Sequence, residues 1–319
     1  MSLLEERNYY KPFEYPWAYE AYKEQHQMHW LPEEVPMADD VRDFREKLSE
    51  NDRELVKNLF SFFTQADTNV AGGYCNLYLP TFKPPEIRMM LGSFTAMEAV
   101  HMDAYSQLLE TLGLPESKYK EFLEIKAMVD KHEYLANFGM DTPREIAKSL
   151  AVFSALTEGV QLFSSFAILL NFPRQNLLKN MGQIITWSVR DESLHVESVS
   201  KLFKSFVAEH PSIWDDDLKC SIYTAAERTV QLEDNFIDVC FEKGDVKGLS
   251  AKEVKQYIRF IADRRLNGIN LKGIFGSLEN PLPWLDYQLN GVEHTNFFEN
   301  RASEYSKGAT EGTWSEIFR

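Results

Sequence analysis

The sequence predicts an all-α protein: a bundle of long helices around a buried polar centre, followed by a flexible C-terminal tail. Three observations predict it. Glycine and proline are sparse, 15 and 13 in 319 residues. They fall between long stretches whose apolar residues recur every three or four positions, the spacing of one helix face. Four of those stretches also carry acids on the apolar face, and two of the four carry a histidine as well.

In chain order, short helices are expected at about 40–49 and 116–130, and another at about 250–268. Long ones are expected at about 52–77, 85–112, 143–171, 174–208 and 214–243. Asp141-Thr142-Pro143 starts one of these, with proline in the first turn, and Asn171-Phe172-Pro173 separates two others. No linker, composition shift or internal repeat divides the chain. The expected organisation is an N-terminal arm over 1–38 that carries Trp30, a helical domain over 39–280, and a tail over 281–319. Beyond Pro281-Leu282-Pro283-Trp284 helical periodicity is lost, and Gly291, Gly308 and Gly312 lie among polar and aromatic residues.

Composition narrows the function. A hydrophobic share of 44% with 26% charged residues supports a large packed core. The formal charge of -15 disfavours nucleic acid or an anionic membrane surface as the main partner. Cys75, Cys220 and Cys240 are too few for a disulfide framework and lack metal-type pairing, which implies a reducing compartment. Met1 to Pro16 has no secretory h-region, and the richest apolar stretch, Leu162 to Phe172, is too short to span a bilayer. A cytoplasmic protein is expected.

The anomaly is charge where a core should be. Ile87, Leu91, Phe94, Glu98, His101, Tyr105, Leu108 and Leu112 share one helix face, so Glu98 and His101 point inward. Ile184, Ser188, Asp191, Glu192, His195, Val199 and Leu202 form a similar face with a second Glu-x-x-His pair. Asp67 lies on the stripe Phe60, Phe63, Val70, Tyr74, and Glu158 on Ala151, Ala155, Leu162, Ser165, Leu169. An uncompensated buried ion costs several kcal/mol, so four acids together would rival the stability of a domain. Two divalent cations would cancel the four negative charges, and two neutral imidazoles complete an oxygen and nitrogen set that suits iron or manganese. The set matches a known template, the ferritin-like dinuclear site. One Glu-x-x-His arises by chance roughly once in such a length, and either pair alone reads equally as a hydrogen-bonded core pair. Two pairs on buried stripes, each preceded by a helix with a lone acid, favour the metal centre.

Asp67, Glu98-x-x-His101, Tyr105, Glu158 and Arg190-Asp191-Glu192-Ser193-Leu194-His195 resemble the signature of the small, radical-generating (beta) subunit of class I ribonucleotide reductase. The similarity runs from His29-Trp30-Leu31-Pro32 to Glu304-Tyr305-Ser306, nearly the whole chain. It implies a ferritin-like bundle whose dinuclear centre, two iron or alternatively two manganese ions, activates an oxygen species and oxidises Tyr105 to a stable radical. The resemblance further implies a relay to a separate large (alpha) subunit that binds the ribonucleotide, generally a diphosphate. Trp30, Asp191 as its hydrogen-bonded link to His101, and Tyr305 in the tail would form that relay, and the last residues, through Phe318, would dock on the large subunit. A homodimer is implied, and for a manganese pair a flavodoxin-like activating protein. Tyr105, where some members carry phenylalanine, favours a tyrosyl radical over a mixed manganese and iron oxidant. The first ligand helix begins by about residue 52, which leaves no room for an N-terminal regulatory cone. Arg190 receives no chemistry. Two rival readings share the ligand set: a ferritin-like oxidase or desaturase acting directly on a bound lipid, and an iron-storage protein.

Overall fold

The structure is a computed structural model describing residues 2–135, 139–277 and 279–289. It comprises two compact units, Met1–Leu282 and Pro283–Arg319. Of the second only 283–289 is described, and it is helical where the sequence predicts loss of helical order. The tail from 290 onward, with Tyr305 and Phe318, lies outside the described residues.

Among the described residues there is no strand, only an isolated bridge between Val246 and Leu249. The helices are α1 (Pro16–Gln27), α2 (Ala38–Glu46), α3 (Glu50–Gly73), α4 (Leu79–Thr81), α5 (Pro85–Thr111), α6 (Lys118–Glu121), α7 (Lys126–Leu135), α8 (Pro143–Ala151), α9 (Phe163–Arg174), α10 (Lys179–Glu209), α11 (Asp216–Cys240) and α12 (Ala251–Gly268). Wide π turns at Tyr74–Tyr78 and Val152–Gln161 join α3 to α4 and α8 to α9. The core lies where α3, α5, α10 and the α8–α9 run pack together, with α11 and α12 closing the far side of the second π turn.

Helix starts follow local chemistry. Thr142 caps α8, accepting from the Glu145 amide while Glu145 reaches back, with Pro143 in the first turn as expected. α10 begins after Leu178, which supplies no side-chain cap. Its cap comes from α2 instead: Asp43 accepts from the Leu178 amide at 3.2 Å, and Asp40 accepts from Asn180 and Met181 at 3.2 and 2.6 Å. Two carboxylates at a helix N-terminus satisfy its free amides and oppose its dipole.

Two expectations require correction. The helix before α10 does not end at Asn171-Phe172-Pro173 but runs through Pro173 to Arg174. The chain turns at Asn176 and Leu178, whose φ angles are 70° and 48°. Pro173 sits in the last turn, where it gives up one backbone hydrogen bond, and its ring fills the place that a Cβ on Gly182 would take. The whole run Pro143–Arg174 is long and apolar enough to cross a membrane by length and composition, yet its apolar window is entirely buried inside the protein. The second correction is α1, within the arm. Its inward residues Ala18, Ala21 and Gln25 are small or polar, so no apolar stripe announces it.

The arm is fastened by two carboxylates, Glu86 buried and Glu209 half-buried. Glu86 accepts from the amides of Glu14 and Tyr15 at 2.9 and 3.1 Å and pairs with Arg7, while Glu209 accepts from the Leu3 amide at 2.9 Å and from the Tyr15 hydroxyl. α1 thereby packs on α5 and α10.

Candidate metal centre

Each ligand helix delivers its acid inward. Asp67 comes from α3, Glu98 and His101 from α5, Glu158 from the second π turn, and Glu192 and His195 from α10. None of the six is more than 1% exposed. They form two overlapping groups that share Glu98. In one, Glu98, Glu158, Glu192 and His195 offer donor atoms all within 4.8 Å of one another; in the other, Asp67, Glu98 and His101 do.

Both imidazoles turn Nδ1 toward the acids. Nδ1 of His101 lies 3.2 Å from Glu192 and 3.5 Å from Glu98, and Nδ1 of His195 lies 2.9 Å from Glu98 and 3.7 Å from Glu192. Glu98 and Glu192 thus stand between the two rings. Nε2 of each ring points outward to a fixed partner. His101 meets Asp191 Oδ2 at 3.3 Å, and His195 meets Gln25 Oε1 at 2.9 Å. With Nε2–H donating outward, the Nδ1 lone pair is free for a metal, the usual outer arrangement at histidine ligands.

Buried polar atoms normally have partners. Here Asp67 Oδ1 and Oδ2, Glu98 Oε1 and Oε2, Glu158 Oε2, Glu192 Oε2, and Nδ1 of His101 and of His195 are buried without a hydrogen bond. All converge on the same space. A core of hydrogen-bonded pairs would not leave them so, whereas two hard or borderline divalent ions would use every one. The residues therefore fit a dinuclear iron or manganese centre.

The electrostatics agree. Burial raises the pKa of Asp67 and Glu158 well above the carboxylate range, reinforced by Glu98 and by Glu192 respectively. Glu192 moves the other way. Burial opposes its charge, but the imidazoles of His101 and His195 beside it outweigh burial and bring it down to about 2. Burial likewise disfavours an imidazolium at His195, yet Glu192 and Glu98 carry it up to about 10, and Asp191, Glu192 and Glu98 raise His101 in the same way. Protons on these groups are what a metal ion displaces.

Asp191 links the ligand shell to the arm. Its Oδ2 accepts from Trp30 Nε1 at 2.7 Å, and its Oδ1 from Arg190 Nη2 at 3.3 Å and Gln25 Nε2 at 3.4 Å. Arg190, to which the sequence assigns nothing, also donates to the Met28 carbonyl at 2.6 Å. The Trp30 ring stacks on His101 with centroids 5.9 Å apart. Tyr105 is 1% exposed, stacks on Phe63 at 4.9 Å and lies 6.4 Å from the His101 ring. Burial, then Asp67, raises its phenol pKa well above the usual value. The structure thus brings together Asp67, Glu98, His101, Tyr105, Glu158, Asp191, Glu192, His195 and Trp30. Tyr305 is outside the described residues.

Two residues of this site are missed by sequence reasoning. Gln25 sits on α1, whose only signal is the proline at its start. Tyr74 donates its hydroxyl to Glu158 Oε1 at 2.6 Å; in sequence it reads as a core aromatic on the Asp67 stripe.

The family model for the ribonucleotide reductase small chain matches residues 7–281. The probable ribonucleoside-diphosphate reductase small subunit 376L of Invertebrate iridescent virus 6 is 46% identical, covering 100% of this chain and 99% of that one. The ribonucleoside-diphosphate reductase subunit beta of Chlamydia pneumoniae is 33% identical over 92% of this chain and 88% of its own. Among solved structures, the ribonucleotide reductase R2 subunit of Clostridium botulinum superposes with TM-score 0.81 at 20% identity, covering 86% and 89% of the two chains. The dimanganese(II) NrdF of Streptococcus sanguinis does so with TM-score 0.75 at 21% identity, covering 89% and 99%. These superpositions show the ferritin-like fold that carries the ligand cluster, and the family match spans it from the arm to the end of the helical bundle: the chain belongs to the ribonucleotide reductase small-chain family.

Proposed function

We propose that this chain generates and stores the radical of a class I ribonucleoside-diphosphate reductase, with Tyr105 as the stored oxidant and a large (alpha) subunit as partner. One observation carries the reading: a fully buried phenol one helical turn beyond His101, beside a converging set of unpartnered buried ligands. The relatives' names, which specify a ribonucleoside-diphosphate reductase, support the substrate class.

When bound, a redox-active metal pair, iron as the first choice and manganese as the second, supplies oxidising power by activating an oxygen species. The protein does the rest. Asp67, Glu98, His101, Glu158, Glu192 and His195 hold the ions, and Asp191 and Gln25 fix the two imidazoles in the Nε2–H tautomer. Tyr105 is the phenol placed for oxidation: its electron would pass to the oxidised metal pair and its proton to an oxygen of the ligand cluster, with Asp67 the acid that acts on it most strongly. Its burial against Phe63 keeps water from the resulting radical.

Trp30, Asp191 and Tyr305 are the proposed relay to the large subunit. The indole N–H on Asp191 and the carboxylate on His101 make a continuous hydrogen-bonded connection from arm to ligand. Residues 281–319 are the proposed docking tail, after the arm 1–38 and the bundle 39–280. We further propose a cytoplasmic homodimer that binds neither nucleic acid nor membrane, served by a flavodoxin-like activating protein if manganese is the working metal. A lipid oxidase or desaturase and an iron store are not favoured, because relatives matching across the chain are reductase subunits.

The test is to load metal-free protein separately with iron(II) and manganese(II), admit air or superoxide, and record electron paramagnetic resonance. A sharp organic radical with one of the metals is expected. No organic radical from either metal with either oxidant would overturn the proposal.

A further inference from the structure

The two π turns of the bundle pack directly on each other beside the metal site, Tyr74 and Tyr78 of the first both meeting Phe153 of the second. Tyr74 opens the first, Tyr74–Tyr78, and Glu158 lies in the second, Val152–Gln161. A π turn inserts one residue into the helical ladder, frees carbonyls from their usual partners and often marks a functional position. In the second turn, side chains from outside take up the loosened carbonyls. Arg265 Nε donates to Gly159 O at 3.1 Å, and Lys131 Nζ, paired with Glu233 at 2.6 Å, donates to Gln161 O at 2.9 Å. The backbone that carries Glu158 is therefore held from behind. Its carboxylate is held from the front by Tyr74.

The four acids of the cluster are not equivalent in this respect. Both oxygens of Asp67 and both oxygens of Glu98 are buried without a hydrogen bond, whereas Glu158 and Glu192 each have only Oε2 so, and of these two only Glu158 is held by a group outside the ligand set. Its Oε1 accepts from the Tyr74 hydroxyl at 2.6 Å. The phenol cannot easily retreat. Its ring is packed against Phe153 at 5.2 Å, Phe94 at 6.0 Å, and His195 at 6.1 Å. The preceding residue must be glycine, because a Cβ on Gly73 would stand 2.5 Å from the Phe153 ring.

We propose that Tyr74 is a positioning residue: by holding Oε1, it limits Glu158 to a single oxygen for the metal and makes the two halves of the centre unequal. The half built on Asp67 and His101 then has a carboxylate free to offer both oxygens, while the half built on Glu158 and His195 has one that is pinned. Unequal coordination of this kind directs an incoming small ligand to one ion rather than the other. The proposal rests on the dinuclear reading above.

Tyr74→Phe removes one hydroxyl and keeps the ring. In full-length protein loaded with cobalt(II), the parent should take up two ions and show d–d absorption from two inequivalent sites. Tyr74→Phe should still bind two, with one ion held severalfold more tightly, because Glu158 loses a competing donor and becomes a more basic ligand. The absorption of that one site should change in intensity as Glu158 becomes free to offer both oxygens. Tyr78→Phe is the control, since the Tyr78 hydroxyl meets Ser149 at 2.8 Å and no ligand, and its spectrum should match the parent. A Tyr74→Phe spectrum and affinities indistinguishable from the parent would overturn the proposal, as would a Tyr78→Phe change of equal size. A parent that binds fewer than two ions would instead defeat the dinuclear reading. A metal-loaded crystal structure of the parent gives a check free of variants: one oxygen of Glu158 on the metal and the other on Tyr74 is expected, and both oxygens on the metal would contradict it.

Discussion

Tyr105→Phe is expected to abolish the organic radical while leaving metal content unchanged. The substitution deletes only the hydroxyl of a side chain that is 1% exposed and stacked on Phe63, so the packing is retained. The stability cost should be about 1 kcal/mol, typical of one lost hydrogen bond. No ligand atom is removed. Loaded with metal and exposed to oxidant as the parent is, the variant should show no sharp signal by electron paramagnetic resonance and no ribonucleotide reduction with a large subunit. A variant that retained the parent signal would move the stored oxidant to another residue, with Tyr74 the next buried phenol at the cluster.

The second large effect concerns the tail. Deletion from Gly291 should leave radical formation intact and abolish ribonucleoside diphosphate reduction by a large subunit. It removes 29 residues, among them Tyr305 and Phe318, and none of the six ligands. Twenty-nine residues can span at most about 100 Å, enough to reach a partner. Tyr305→Phe separates docking from relay. It should bind the large subunit as tightly as the parent and lose turnover. Reduction at the parent rate by the deletion variant would remove the tail from the mechanism and revive the direct oxidase reading.

How far the site could be read from sequence depends on the regularity of the helix at each point. Glu98 with His101, and Glu192 with His195, lie on uninterrupted α-helix, so three-residue spacing alone placed each pair on one inward face. Glu158 is different. Its stripe crosses the π turn, where 3.6-residue periodicity no longer holds, and it points inward in a segment whose every residue from Ala151 to Phe172 is buried. There burial of the whole segment, and not the spacing, turns Glu158 inward. Tyr74 lies at the start of the other π turn, and nothing in a pattern of apolar residues distinguishes a packed phenol from one that reaches a carboxylate across the bundle. Gln25 was invisible because α1 buries alanines and an amide, so its inward face carries no hydrophobic signal. The end of α9 was misplaced for a related reason. Pro173 lies inside the last turn, and the break falls at left-handed Asn176 and Leu178, of which only the asparagine favours that conformation.

The central claim is that six buried side chains hold two metal ions, and metal uptake tests it most directly. Ion-free protein titrated anaerobically with iron(II) or manganese(II) at pH 7 should bind close to two ions per chain. Protons should be released as it does so, because the pKa of His195 lies near 10 and His101, Asp67 and Glu158 are all raised. The sign follows: groups protonated at pH 7 must lose their protons to bind, so affinity should rise as pH increases from 6 toward 10. Two ions per chain with proton release in calorimetry is the predicted result. Well-folded protein that takes up well short of two ions of either metal, or binds with no pH dependence, would contradict the account.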